Sequence, residues 1–179
     1  AQRTPRDPNS GHRALSAWIP VWRAHLLRAP PRQAGRVYSC GSSARGRLGR
    51  LFSTDPSSPL FHAVPSAVHL GPDSVRAASV AASENHGVAL SANGAAFVWG
   101  ANEAGLLGLE PSDPDVSEPM QVVGGVQGAS ALQDVSQVAC SAFSTAFLVR
   151  TTAADNGQLI LLGGNPQSLQ LRRCVAWPI

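Results

Sequence analysis

Five histidines, three cysteines and one close pair of aspartates are the side chains through which this 179-residue chain could do acid–base, nucleophilic or metal chemistry. His12, His25, His62, His69 and His86 show no paired metal-ligand spacing. His86 is the most suggestive, beside Ser83, Glu84 and Asn85. Cys140 and Ser141 have no base near them in sequence, and Gly163-Gly164 lacks phosphate-loop spacing. Asp113 and Asp115 match the start of a calcium loop only loosely, because Pro114 stiffens the turn and no glycine follows. They are expected in a solvated inter-strand loop. All fourteen basic residues are Arg; with no Lys, phosphate-loop, Schiff-base and Ser–Lys chemistries are excluded. The expectation is a protein that is not an enzyme, with no catalytic residue, no metal ligand set, no cofactor and no small-molecule substrate.

The charge is divided. Residues 1–50 hold ten Arg against one acid, Asp7, whereas residues 51–179 hold four Arg against ten acids. A net charge of +3 therefore hides a basic arm on an acidic body. Within the arm, Leu15, Trp18, Trp22 and Leu26 recur at helical spacing, Pro20 interrupts them, and Pro30-Pro31 ends them. The sequence thus predicts an extended or short-helical arm over residues 1–35. Its candidate RNA- or partner-binding residues are Arg3, Arg6, Arg13, Trp18, Trp22, Arg23, Arg28 and Arg32, since guanidinium suits phosphate and carboxylate alike. An organelle-targeting presequence has the same composition, and a solvated tail is the third reading.

The elements that must position these groups are short strands. Val88 and Leu90 alternate in one, Phe97 and Trp99 in the next, and Asn93-Gly94 between them predicts a type I′ hairpin turn. The pattern recurs. Arg36–Gly49 repeats the second strand and its glycine-rich exit, Val138–Leu148 repeats the first strand, and Leu159–Asn165 repeats the second again. Gly41, Gly100 and Gly163 lie 59 and 63 residues apart, and Pro65 and Pro119 lie 54 apart. A period near 60 built from short strands indicates propeller blades rather than helical arrays. Residues 51–79 read as a connector reaching a strand near Ala67–Leu70, and 124–134 as a second connector. Cys40 and Cys140 occupy strand positions suited to buried, reduced thiols, as in a cytosolic, nuclear or mitochondrial protein. No apolar run approaches the ~20 residues of a membrane span.

His86-Gly87-Val88-Ala89-Leu90, Asn93-Gly94, Val98-Trp99-Gly100-Ala101-Asn102 and Gly105-Leu106-Leu107-Gly108 resemble the regulator of chromosome condensation repeat. The resemblance spans about residues 36–165. It assigns repeat roles to Gly41, His86, Asn93, Gly94, Trp99, Gly100, Gly105, Gly108 and Gly163. In the third repeat Ser144 stands for the usual His and Leu162 for the usual Trp. The family folds as a seven-bladed β-propeller, which at this period needs roughly 420 residues. The expected fold is therefore all-β, a partial propeller of about three blades (repeats near 36–50, 80–108 and 138–165 within residues 36–179) that belongs to a longer propeller. The expected function is a non-catalytic interaction subunit of a large assembly, a mitochondrial ribosome or ribosome-assembly component, its arm contacting ribosomal RNA or neighbouring proteins. The resemblance also implies an alternative, guanine-nucleotide exchange on or regulation of a small GTPase; the expected location is mitochondrial, with nuclear or cytoplasmic as the alternative.

Overall fold

The computed structural model describes residues 17–20, 24–28, 35–52, 58–72, 75–109, 114–124, 130–150, 158–163 and 174–175. Three four-stranded antiparallel sheets follow one another along the chain. The first is β1 (Ala17–Pro20), β2 (Ala24–Arg28), β3 (Val37–Ser42) and β4 (Phe61–Val68). The second is β5 (Ala77–Ala82), β6 (His86–Ser91), β7 (Ala96–Gly100) and β8 (Val116–Gln121). A two-stranded ribbon, β9 (Val123–Gly124) with β10 (Ser130–Ala131), then leads to the third sheet. That sheet is β11 (Val135–Ser141), β12 (Ser144–Val149), β13 (Gln158–Gly163) and β14 (Cys174–Val175). Each sheet is ordered as in sequence, an up-and-down meander, and the expected partial propeller of three blades is the fold observed.

One part of the arm reading changes. The stretch whose apolar spacing predicted a helix forms β1 and β2, paired Trp18 with Leu27 and Ile19 with Leu26, and β2 pairs with β3 from Ala24–Gly41 to Arg28–Val37. Pro20 excludes a continuous helix, and an adjoining strand with free backbone groups offers ladder partners that an isolated short helix lacks. Ala17–Pro20 and Ala24–Arg28 are thus part of the first blade. Its last strand, β4, is also longer than the expected strand near Ala67–Leu70, because it pairs from Ser42–Phe61 to Val37–Val68.

The middle sheet shows why its sequence is almost wholly apolar. Every residue of β6 and β7 is buried. Period-two alternation sends their side chains into two different cores. Ala89, Phe97 and Trp99 pack with Val37, Val68 and Leu70 of the first-sheet side. Val88, Leu90, Ala96 and Val98 pack with Leu132, Val135, Phe147 and Ile160 of the third-sheet side. A strand clad on both faces reads as a continuous hydrophobic run.

The β6–β7 turn corrects a second expectation. Gly94 N–H donates to Ser91 O (3.0 Å), and Ser91 N–H donates to Ala95 O (2.8 Å). Gly94 has φ +83, but the described non-glycine residues with positive φ are Arg45 and Asp134, so Asn93 does not adopt it. A type I′ turn needs positive φ at both central residues; here a three-residue loop closes on a single left-handed glycine. Ser91 Oγ tips the balance by accepting from Ala95 N–H (2.9 Å), a bond the tighter turn does not make.

Candidate functional site

The residues singled out as repeat signature converge on the seams between sheets. Gly41, Gly100 and Gly163 stand at the same place, the end of the third strand of each sheet, all with positive φ (114, 107 and 81). After the first two of these glycines comes a short 3-10 turn, Ala44–Gly46 or Glu103–Gly105, followed by a glycine in the left-handed region, Gly49 or Gly108. Each such glycine receives a side chain from the next sheet. The Trp99 indole lies between Gly49 and Gly87, close enough that a Cβ on either would collide with the ring. Trp99 is 0% exposed, and its Nε1–H donates to the Arg47 carbonyl (3.2 Å). In the next seam Leu162 fills the same position against Gly108.

Leucine has no donor, so the equivalent carbonyl, that of Leu106, requires another. Thr145 supplies it: Oγ1–H donates to Leu106 O (2.7 Å). Thr145 pairs with Leu162 across the ladder as Gly87 pairs with Trp99. The Gly–Trp pair of the second sheet therefore becomes a Thr–Leu pair in the third, and the buried carbonyl is satisfied both times. The repeat that looks degenerate in sequence is compensated in space.

His86 joins the same seam. Its Nε2 lies 2.9 Å from Thr145 Oγ1 and its Nδ1 lies 2.6 Å from Ser83 Oγ. Since the Thr145 proton is given to Leu106 O, His86 donates from Nε2 and accepts at Nδ1, the neutral tautomer. Burial pushes its pKa down to about 4. Both ring nitrogens are occupied by structural bonds, and the side chain is buried.

Arginines bind the first seam. Arg45 holds Asp115 through Nε–Oδ2 (2.8 Å) and Nη2–Oδ1 (3.1 Å) and also bonds Glu103. Asp115 accepts from Asn102 N–H as well (3.0 Å). Burial works to raise its carboxyl pKa, but the Arg45 and Asn102 hydrogen bonds hold it below the usual value. Asp115 lies in an exposed loop, as expected, and from there it also clamps two sheets; its partner lies 70 residues away, beyond the reach of local pattern. Asp113 lies outside the described residues. Arg47, buried, donates to the carbonyls of Ala44 (2.8 Å) and Glu84 (3.2 Å). Arg50 donates to Ser39 Oγ and O and stacks on Phe52 at 4.8 Å. Among the described residues, Arg45, Arg47 and Arg50 are thus spent within the fold.

The other candidates are scattered. His62 stacks on Phe52, ring centroids 4.0 Å apart, and His69 lies in the β4–β5 connector. Cys40 and Cys140 are free thiols; burial raises both, Cys140 to about 12, so neither is a thiolate near neutrality. Trp18 and Arg28 are placed by backbone in β1 and β2. Arg3, Arg6, Arg13, Trp22, Arg23 and Arg32 lie outside the described residues, as does His12. Among the described residues no helix is long and apolar enough to cross a membrane.

Comparison with known proteins agrees with this geometry. The Regulator of chromosome condensation (RCC1) repeat matches residues 34–90 and 93–148, and a second form of that repeat matches 77–105. Each of the two longer matches joins the last two strands of one sheet to the first two of the next, so the repeat unit is staggered against the blade. A BTB/POZ domain-containing protein of Schizosaccharomyces pombe is 30% identical over 164 residues, which is 86% of this chain and 11% of that protein. Human WBSCR16 shares the fold with a TM-score of 0.58 at 24% identity, over 80% of this chain and 33% of that one. Prp20p of Saccharomyces cerevisiae, described with its binding to Gsp1p and histones, gives 0.60 at 16% identity over 84% of this chain and 34% of its own. The chain spans about a tenth of that curated relative and a third of the two solved chains. With staggered repeats, blade-terminal glycines and a buried Trp–Gly seam, this chain belongs to the RCC1 repeat family.

Proposed function

We propose that this protein is a non-catalytic, propeller-type interaction subunit of a large assembly, a mitochondrial ribosome or ribosome-assembly component, whose basic N-terminal stretch contacts RNA or neighbouring subunits. The observation that carries this reading is the division of charge, ten Arg and one acid in residues 1–50 against four Arg and ten acids beyond. Arg45, Arg47 and Arg50 are engaged inside the fold. Arg3, Arg6, Arg13, Arg23 and Arg32 lie outside the described residues, and guanidinium groups in so basic a stretch suit a polyanion. The thiol character of Cys40 and Cys140 suits a reducing compartment. His86, the one histidine with the neighbours of an acid–base group, is consumed by two structural hydrogen bonds.

Sedimentation of the native protein from organelle lysate, with and without ribonuclease, tests the reading. Co-migration with a large particle and release by ribonuclease is the expected result. Migration as a small species indifferent to ribonuclease would remove the RNA-anchored assembly reading and leave regulation of a small GTPase as the alternative to pursue.

A further inference from the structure

The outer strands of the first two sheets share one irregularity and differ in chemistry. In β8 the ladder to β7 steps from Gly100–Val116 to Val98–Met120, so Ser117, Glu118 and Pro119 stand opposite Trp99 alone. In β4 the ladder to β3 steps from Gly41–His62 to Ser39–Ser66, so Ala63, Val64 and Pro65 stand opposite Cys40 alone. Both are bulges that end on a proline, and residues 61–65 match 115–119 position by position. In β8 the bulge is a seat. The Ala44–Gly46 turn of the first sheet rests on it so closely that a Cβ on Gly46 would come 2.7 Å from the Ser117 Cα and from the Val116 carbonyl oxygen. From the same turn Arg45 reaches Asp115 and Glu103.

On the first sheet the matching seat is open and apolar. Phe61 stands where the second repeat has Asp115, Val64 where it has Glu118, and Ala44 where it has Glu103. The fold does not need a carboxylate here: Asn102 N–H donates to Asp115 Oδ1 (3.0 Å), whereas its counterpart Ser43 N–H donates to the Leu60 carbonyl (2.8 Å). Ser117 and Pro119 are half-buried in β8, but Ala63, Val64 and Pro65 are all exposed in β4. Leu60, Phe61 and Val64 are 70%, 65% and 75% exposed, three of the five large apolar side chains so exposed among the described residues. Apolar surface gathered at one place in this way marks a contact site rather than ordinary scatter.

We propose that this rim of the first sheet is a docking site for a tight turn of a protein partner, one that carries an apolar side chain where Arg45 stands on the internal seat. The proposal deepens the interaction reading and rests on it only in taking the chain as a binding module. The internal seat shows that a bulge of this form receives a turn. With Phe61 and Ala44 in place of Asp115 and Glu103, a guanidinium loses both carboxylates that hold Arg45, whereas an apolar side chain gains contact with Leu60, Phe61 and Val64. An extended strand added to this edge is disfavoured, because Pro65 has no N–H and the bulge breaks the ladder. A second copy has no such turn to spare among the described residues. Ala44–Gly46 rests on β8, and Glu103–Gly105 leads into Leu106, packed against Gly163 of the third sheet.

Fluorescence anisotropy on the full chain, with two fluorescein-labelled cyclic octapeptides, tests the site. One has the Ser42–Gly49 sequence and the other has that sequence with Arg45→Leu. The Arg45→Leu peptide should bind the more tightly, and Val64→Glu in the protein should weaken it about tenfold. Phe61→Asp, which restores the carboxylate of the internal seat, should reverse the preference in favour of the parent peptide. Phe61 and Val64 are both exposed, so neither substitution removes a core contact. Phe143→Glu, at an equally exposed aromatic on the β11–β12 turn, should leave binding unchanged. Absence of binding by the Arg45→Leu peptide, an equal loss with Phe143→Glu, or a preference unmoved by Phe61→Asp would each overturn the proposal. Sedimentation velocity of the full chain covers the remaining occupant: a dimer that Val64→Glu abolishes would give the rim to a second copy and overturn the partner turn. None of these outcomes touches ribonuclease-sensitive sedimentation, so failure here is distinct from failure of the assembly reading.

Discussion

A buried imidazole held neutral makes the joint between the second and third sheets sensitive to protons. His86 has a pKa near 4 in the folded chain against an ordinary 6.5, because burial disfavours its cation. Between these values the unfolded chain binds more protons than the folded one. The stabilisation is therefore complete above about pH 6.5 and is lost as pH falls toward 4, amounting to roughly 3 kcal/mol at about 1.4 kcal/mol per unit. Urea midpoints measured from pH 7 to pH 4 should fall steeply for the native protein and less steeply for His86→Gln; parallel profiles would show that His86 is not the linked group. His86 was legible as a structural residue through its motif. Its partner Thr145 was not, since a threonine 59 positions away carries no local signal.

At the scale of the element, the seam tolerates two chemical solutions to one demand. A carbonyl on the preceding turn must receive a hydrogen bond, from the Trp99 indole in one seam and the Thr145 hydroxyl in the other. Trp99→Leu should cost about 3 kcal/mol, combining a cavity with an orphaned Arg47 carbonyl. Adding Gly87→Thr rebuilds the Thr–Leu pair of the third sheet, replacing the vanished ring with a hydroxyl aimed at that carbonyl. The double variant should recover about 1 kcal/mol relative to Trp99→Leu, while Gly87→Thr alone, colliding with the indole, should destabilise. Thermal denaturation of the four proteins as a double-mutant cycle measures the coupling, and additive effects would refute the exchange. In sequence, Leu162 reads as decay of the motif; only register and proximity reveal the compensation.

Across the whole molecule, the first sheet alters what the N-terminal stretch means. Residues 1–35 read as an arm because charge and proline dominate them, yet β1 and β2 fall inside that range and β2 pairs along β3. Deleting residues 1–35 should therefore do more than remove basic charge. It should strip β3 of one ladder partner and reduce amide-exchange protection over Val37–Ser42, whereas replacing Arg3, Arg6 and Arg13 with Gln should leave that protection intact. Undiminished protection after the deletion would show that β3 holds without the inner strands. Assembly experiments on the basic stretch accordingly call for substitutions rather than truncation.

Sequence alone determined the strand class, the period and the glycines at Gly41, Gly100 and Gly163, because those depend on local backbone freedom and on alternation, which each segment carries within itself. It also located the charge division. Tertiary structure alone decided that Arg45 would meet Asp115, that Thr145 would stand in for the indole of Trp99, and that Ala17–Pro20 and Ala24–Arg28 would be strands. In each of these the deciding partner is distant in sequence or comes from a neighbouring sheet: a carboxylate, a buried carbonyl, an unpaired strand edge. Hydrogen-bonding groups removed from water take the partner that the fold places beside them.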